Sequence, residues 1–141
     1  MPETLVSLRT KGPPVQTTCH IQFAKEPGLS GMQINEISLL IEKMNGENIR
    51  EMFASSSPMF RTARVVNASH TYWSGFRALR VDFNVDLKYL GIEDRTGKGF
   101  YILLFTATRN GIYMVNCGHT KKRNAKAALE QLIPNILIDS W

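Results

Sequence analysis

The chain has 141 residues, 43% of them hydrophobic and 21% charged, with a net charge of +5 from 17 Lys/Arg against 12 Asp/Glu. That is the length of one globular domain able to bury its own core. No apolar run approaches the ~20 residues that span a bilayer, and Gly, Pro and charge are too moderate for collagen-like, coiled-coil or disordered chains.

Residues 1–14, ending in Lys11-Gly12-Pro13-Pro14, read as an N-terminal arm closed by a turn. A Pro-Pro pair neither continues a helix nor suits a central strand. The start Met1-Pro2-Glu3-Thr4 has no basic n-region and no apolar h-region, so no signal peptide is expected. A single α+β domain is expected over 15–141. It opens with Val15, Thr17, Cys19, Ile21 and Phe23 alternating against Gln16, Thr18, His20 and Gln22, which predicts a half-buried strand.

Glu26-Pro27-Gly28 ends that strand. The next segment fits two periods: Ile37, Ile41 and Met44 make a helix stripe, whereas Ile37, Leu39 and Ile41 alternate with Ser38, Leu40 and Glu42. Asn45-Gly46 follows directly, and 47–54 then reads as a fresh helix through Ile49, Met52 and Phe53. A turn signal between two periods favours strand, turn, helix, so a strand is expected over 36–43. Ser55-Ser56-Ser57-Pro58 stops the helix. A polar, edge-like strand is expected over 64–72 with His70 exposed, then a turn at Ser74-Gly75. Leu79, Val81, Phe83 and Val85 alternate against Ala78, Arg80, Asp82 and Asn84, a clear strand. A long polar connection runs over 87–98 and carries Glu93, Asp94 and Arg95. Strands over 100–108 and 112–117 are joined at Asn110-Gly111, a strong hairpin signal. Asn124 then caps a helix with Ala128, Leu129, Leu132, Ile133, Ile136 and Leu137 on one apolar face, kinked at Pro134. The expected architecture is α+β: an antiparallel β-sheet with two helices packed on it.

Motifs for catalysis are missing. There is no G-x-S-x-G elbow, no P-loop and no G-x-G-x-x-G; Gly97-Lys98-Gly99 has neither the spacing nor the helix. Asp82 and Asp86 share a polar strand face with Arg80 and Asn84, where cross-strand ion pairing is the plainer role. Cys117 and His119 face one way on a strand, but Cys19 and His20 point to opposite faces, which spoils a four-ligand zinc site. Neither metal nor cofactor is expected. Cys19 and Cys117 form one disulfide in an oxidising compartment or two buried thiols in a reducing one. Tyr72, Trp73, Phe76, Arg77 and Arg80 are the nearest thing to an aromatic-basic ligand platform, against ordinary core and rim packing. Lys121-Lys122-Arg123, with Lys126 nearby, is the one dense basic cluster, its plainer reading a solvated turn entering a helix.

The run over 37–141 resembles the PsbP-like fold family, which includes PsbP itself, the Ran-binding Mog-type import factors and bacterial DcrB-type and LpqN-type lipoprotein domains. The pieces that carry the resemblance are Ile37-Ser38-Leu39-Leu40-Ile41-Glu42-Lys43, Asn45-Gly46-Glu47-Asn48-Ile49-Arg50-Glu51, and Ser74-Gly75-Phe76-Arg77-Ala78. The hairpin over 100–117 and the closing Ile136-Leu137-Ile138-Asp139-Ser140-Trp141 complete it. The N-terminal arm departs from the family's aromatic P-x-x-W opening. The resemblance implies a non-enzymatic scaffold that docks on other proteins and carries over no catalytic residue.

The function expected is a non-catalytic protein-binding or assembly domain of a bacterial envelope-associated protein, extracytoplasmic rather than cytoplasmic. Its partner is a protein, acidic if charge is the guide, with no nucleic acid and no membrane span. Candidate surface residues are Tyr72, Trp73, Phe76, Arg77, Arg80, Lys121, Lys122 and Arg123. The alternative is a small-ligand pocket protein or enzyme, with Tyr101, Tyr113, Asp82 and His119 as the polar groups. A secretion-type chaperone of the same size and class ranks third.

Overall fold

Alternation builds the sheet. A computed structural model describes residues 3–9, 18–90 and 97–138. Its strands are β1 (Glu3–Arg9), β2 (Thr18–Lys25), β3 (Arg64–Trp73), β4 (Phe76–Asp86), β5 (Lys98–Thr108) and β6 (Gly111–His119). They form one six-stranded sheet, every pairing antiparallel, in the order β1-β2-β6-β5-β4-β3. The helices are α1 (Ile34–Lys43), α2 (Gly46–Ala54), α3 (Pro58–Thr62) and α4 (Lys122–Leu132). The antiparallel α+β class is therefore as the alternation indicated, but the helices differ in number and placement.

The period of two in the central strands assigns each residue to a face. Leu79, Val81 and Phe83 of β4, with Leu103 and Phe105 of β5, pack against Ile37, Ile41, Ile49, Phe53 and Phe60 of α1, α2 and α3. Ala78, Ile102, Leu104, Val115 and Cys117 pack against Ala125 and Leu129 of α4 on the other face. The sheet is thus covered on both faces, giving three layers rather than a sheet with helices on one side.

Four expectations are corrected. Residues 36–43 are helical, not extended: Ile37 and Ile41 lie one turn apart and are buried, and the Gln33 N–H donates to the Glu36 carboxylate at 3.1 Å as the helix starts. Leu39, which the strand reading placed on one face with Ile37 and Ile41, is exposed, as is Leu40. The stretch Glu3–Arg9 of the expected arm is a strand laid along β2. The Pro13-Pro14 turn, Val15 to Thr17, and Glu93-Asp94-Arg95 lie outside the described residues. In the β5–β6 hairpin Thr108 pairs with Gly111, so the loop is Arg109 and Asn110, one residue earlier than expected. The closing helix starts at Lys122 and ends at Leu132, because Pro134 lacks the N–H to continue it and sits in a short 3₁₀ turn, Ile133–Asn135. Leu137 lies beyond the helix and is exposed.

Cys19 and Cys117 stand directly opposite each other on β2 and β6 and are joined by a disulfide. The bridge lies on the α4 face and ties the outer hairpin β1–β2 to the centre of the sheet. No helix among the described residues is long and apolar enough to cross a membrane.

Candidate functional site

The candidate surface is organised by the β3–β4 hairpin. Its loop is Ser74-Gly75, both residues at positive φ (51° and 82°), the backbone of a type I′ turn that suits the right-handed twist of the flanking strands. Trp73 therefore pairs with Phe76, Tyr72 with Arg77, and Ser69 with Arg80. Alternation then splits the sequence cluster across the sheet. Tyr72 and Arg77 stand on the α1 face, whereas Trp73, Phe76 and Arg80 stand on the α4 face. Trp73 is buried in the α4 core, its indole N–H without a partner among the described residues, so it presents nothing to a ligand. The five residues are not one platform.

On the α1 side, an open cleft of about 380 Å³ is lined by Asn35, Ser38, Leu39, Glu42, Tyr72, Gly75 and Arg77. The Arg77 guanidinium lies 4.7 Å from the centre of the Tyr72 ring, a cation–π stack, and its Nε donates to the Glu42 carboxylate. Tyr72 is 65% exposed and Leu39 59%, so the cleft offers an aromatic and an aliphatic wall around one ion pair. The contributions of Ser38, Leu39 and Glu42 were hidden from sequence reasoning, because a strand over 36–43 would have aimed them elsewhere, and Asn35 was read as lying outside any element. The helical spacing of Ile37, Ile41 and Met44 was the signal that could have found them.

On the α4 side, a second cleft of about 370 Å³ lies beside β3, lined by Ser69, Thr71, Arg80, Leu104, Glu130, Ile133 and Pro134 among others. Charges here are engaged. Arg80 reaches Asp82 at 3.4 Å and Glu130 at 3.8 Å, and Lys122 reaches the other Asp82 oxygen at 3.8 Å. Asp82 is 5% exposed, and its partners come from its own strand and from α4 rather than from a neighbouring strand. The cross-strand pair is Asp86 with Lys98, at 2.6 Å, and the hydrogen bond from Lys98 holds the Asp86 carboxyl below its ordinary range. His70 is half-buried, not exposed, and its Nε2–H donates to the Ile41 carbonyl at 2.9 Å.

The four groups proposed for a ligand pocket do not converge. Tyr101 faces α3 among Phe60 and Phe83, and its burial drives the phenol pKa far upward. Tyr113 packs on Phe23, while Asp82 and His119 lie on the α4 face of the sheet. His119 sits at the end of β6, where its Nδ1 accepts the Lys121 N–H at 2.9 Å and its Nε2 lies 3.3 Å from the Asn124 amide. Among the described residues no group of three or more His, Cys, Asp and Glu side chains could hold a metal ion. Of the basic cluster, Lys122 is drawn to Asp82, whereas Lys121 and Arg123 form no ion pair among the described residues.

No protein-family model and no curated protein matches the sequence. Among solved structures, the chain is similar to PA94, a protein of unknown function from Pseudomonas aeruginosa, with a TM-score of 0.56 at 12% identity, over 95% of this chain and 81% of that one. It is also similar to the cyanobacterial PsbP protein CyanoP of Synechocystis, with a TM-score of 0.47 at 10% identity, over 92% and 78% of the two chains. The PA94 likeness shows a shared α+β fold and carries no activity with it.

Proposed function

We propose that this chain is a non-catalytic protein-binding or assembly domain of the bacterial envelope, and that it docks its partner on the cleft between α1 and the β3–β4 turn. The observation that carries this reading is the exposure of Leu39 and Tyr72 around the Glu42–Arg77 pair. An exposed apolar patch rimmed by polar groups is a common mark of a protein interface. Tyr and Arg are the residue types that most often dominate binding energy. The resemblance of 37–141 to PsbP-like domains, which dock on other proteins, points the same way. A disulfide between facing strands suits an oxidising compartment, where such bonds persist, and Lys121 and Arg123 favour an acidic partner.

The test is site-directed crosslinking in the native host with a photoreactive group in place of Tyr72. One protein should be captured, and the capture should be lost in a Leu39→Asp variant whose circular dichroism is unchanged. Thiol counting on the same material should find Cys19 and Cys117 bridged. Turnover of an acyl, phosphoryl or glycosidic substrate that maps to a residue of this chain would overturn the non-catalytic reading. Two free thiols in the host would overturn the compartment.

A further inference from the structure

The outer edge of β3 is unpaired among the described residues, since β3 ends the strand order. The two-residue hairpin makes Trp73 and Phe76 a hydrogen-bonded pair, so every second residue back along β3 also bonds to β4. Thr71 and Ser69 thus turn their backbone groups inward. Tyr72, His70 and Ala68 turn theirs outward, to the free edge.

Proteins usually protect such an edge with Lys, Pro or inward charge. Over 65–73, Val-Val-Asn-Ala-Ser-His-Thr-Tyr-Trp, this one carries no Lys, Pro or carboxylate, and its guards, Arg64 and a bulge, lie at the end away from the hairpin turn. A register shift between Val65 and Asn67 is its one irregularity. The strand is mostly exposed, and open clefts lie on both of its sides.

We infer that this edge pairs with the β3 edge of a second copy of the chain, antiparallel about a two-fold axis at Ser69. The two large hydrophobic side chains that β3 exposes are Val66, 46% exposed, and Tyr72. They stand three residues either side of Ser69, so the axis sets each Val66 against the partner copy's Tyr72. It also sets Asn67 against Thr71 and Ala68 against His70. No opposing pair carries like charge, and a β-branched residue facing an aromatic is a favourable cross-strand pair. The backbone agrees with this register: Ala68 and His70, both turned outward, meet as a hydrogen-bonded pair, and Ser69 meets Ser69 as a non-hydrogen-bonded one. The stretch 65–73 holds no Lys, Arg, Asp or Glu, so pairing it with itself brings no like charges of a +5 chain together.

This inference does not depend on the protein-binding reading, because purified protein alone tests it. Sedimentation equilibrium should show a concentration-dependent dimer. Val66→Lys with Tyr72→Lys places like charges opposite each other and should weaken dimerisation by about tenfold or more. Val66→Lys with Tyr72→Glu should restore it. Mild oxidation should join Ser69→Cys chains covalently and leave Thr71→Cys chains unjoined. A monomer at every concentration, or a dimer indifferent to the Lys pair, overturns the inference. So does a Ser69→Cys chain that crosslinks in the host only to the extended segment of a different protein, since the edge then serves a foreign strand.

Discussion

At the scale of single residues, His119 is the group whose surroundings give a pH dependence with a definite sign. It is 6% exposed, its Nδ1 must stay unprotonated to accept the Lys121 N–H, and burial and then the Lys121 charge lower its pKa below the ordinary 6.5. The unfolded chain therefore binds more protons than the folded one between the lowered value and 6.5. Stability rises with pH across that window, is complete above the unfolded value, and is lost on acidification. Urea unfolding from slightly alkaline to mildly acidic pH should show this loss, and a His119→Gln variant should flatten it. If the slope survives in His119→Gln, the titration belongs to another group. Tyr101 behaves differently: burial drives its phenol pKa far upward, and it serves the core beside Phe60 and Phe83.

At the scale of elements, the outer hairpin β1–β2 hangs on the sheet through the β2–β6 ladder and the Cys19–Cys117 bridge. The bridge closes a loop of sequence separation 98, long enough for the restriction it places on the unfolded chain to matter. Cys19→Ala with Cys117→Ala should lower stability by about 2–4 kcal/mol. Hydrogen exchange should then speed up in β1 and β2 before it does in β4 and β5. Uniform acceleration across the sheet would mean the bridge supports the whole domain rather than its outer hairpin. The same elements show what the sequence could disclose. Strand β4 was legible from the alternation of Leu79, Val81, Phe83 and Val85 with Arg80, Asp82 and Asn84, and β5 and β6, buried on both faces, from their apolar runs either side of Asn110-Gly111. Helix α1 was not, because Leu39 and Leu40 are apolar yet exposed, so its burial is narrower than its hydrophobicity and both periods fit. The candidate site inherited that error. Tyr72 and Arg77 were found, but their separation from Trp73 and Arg80 depends on the faces of the ladder. Glu42 and Leu39 depend on α1 being a helix, and the free edge of β3 depends on strand order, which is a non-local property.

At the scale of the whole molecule, the net charge is unevenly distributed. Helices α1 and α2 carry Glu36, Glu42, Glu47 and Glu51 on one side of the sheet, where Glu42 meets Arg77 and Glu47 meets Arg50. The start of α4, on the other side, carries Lys121, Lys122, Arg123 and Lys126 with no acidic residue in its first turn. Cations there oppose the positive end of the helix dipole, which makes them mildly unfavourable for folding. Lys122 is repaid by the buried Asp82, whose second oxygen it approaches. Lys121 and Arg123 have no such return among the described residues, and under the function proposed above they would steer an acidic partner. Replacing both, Lys121→Glu with Arg123→Glu, should leave stability unchanged or raised by about 0.3–1 kcal/mol. Retention on a cation exchanger should fall, and capture of the partner should slow with a weaker dependence on salt. Lys122→Met should do the opposite, destabilising by about 1–3 kcal/mol because it strips a cation from a buried carboxylate, with little effect on partner capture. Thermal denaturation and salt-series binding on the two variants separate these outcomes. If the Lys121 and Arg123 pair destabilises as much as Lys122→Met, the cluster is structural and the partner must be recognised elsewhere.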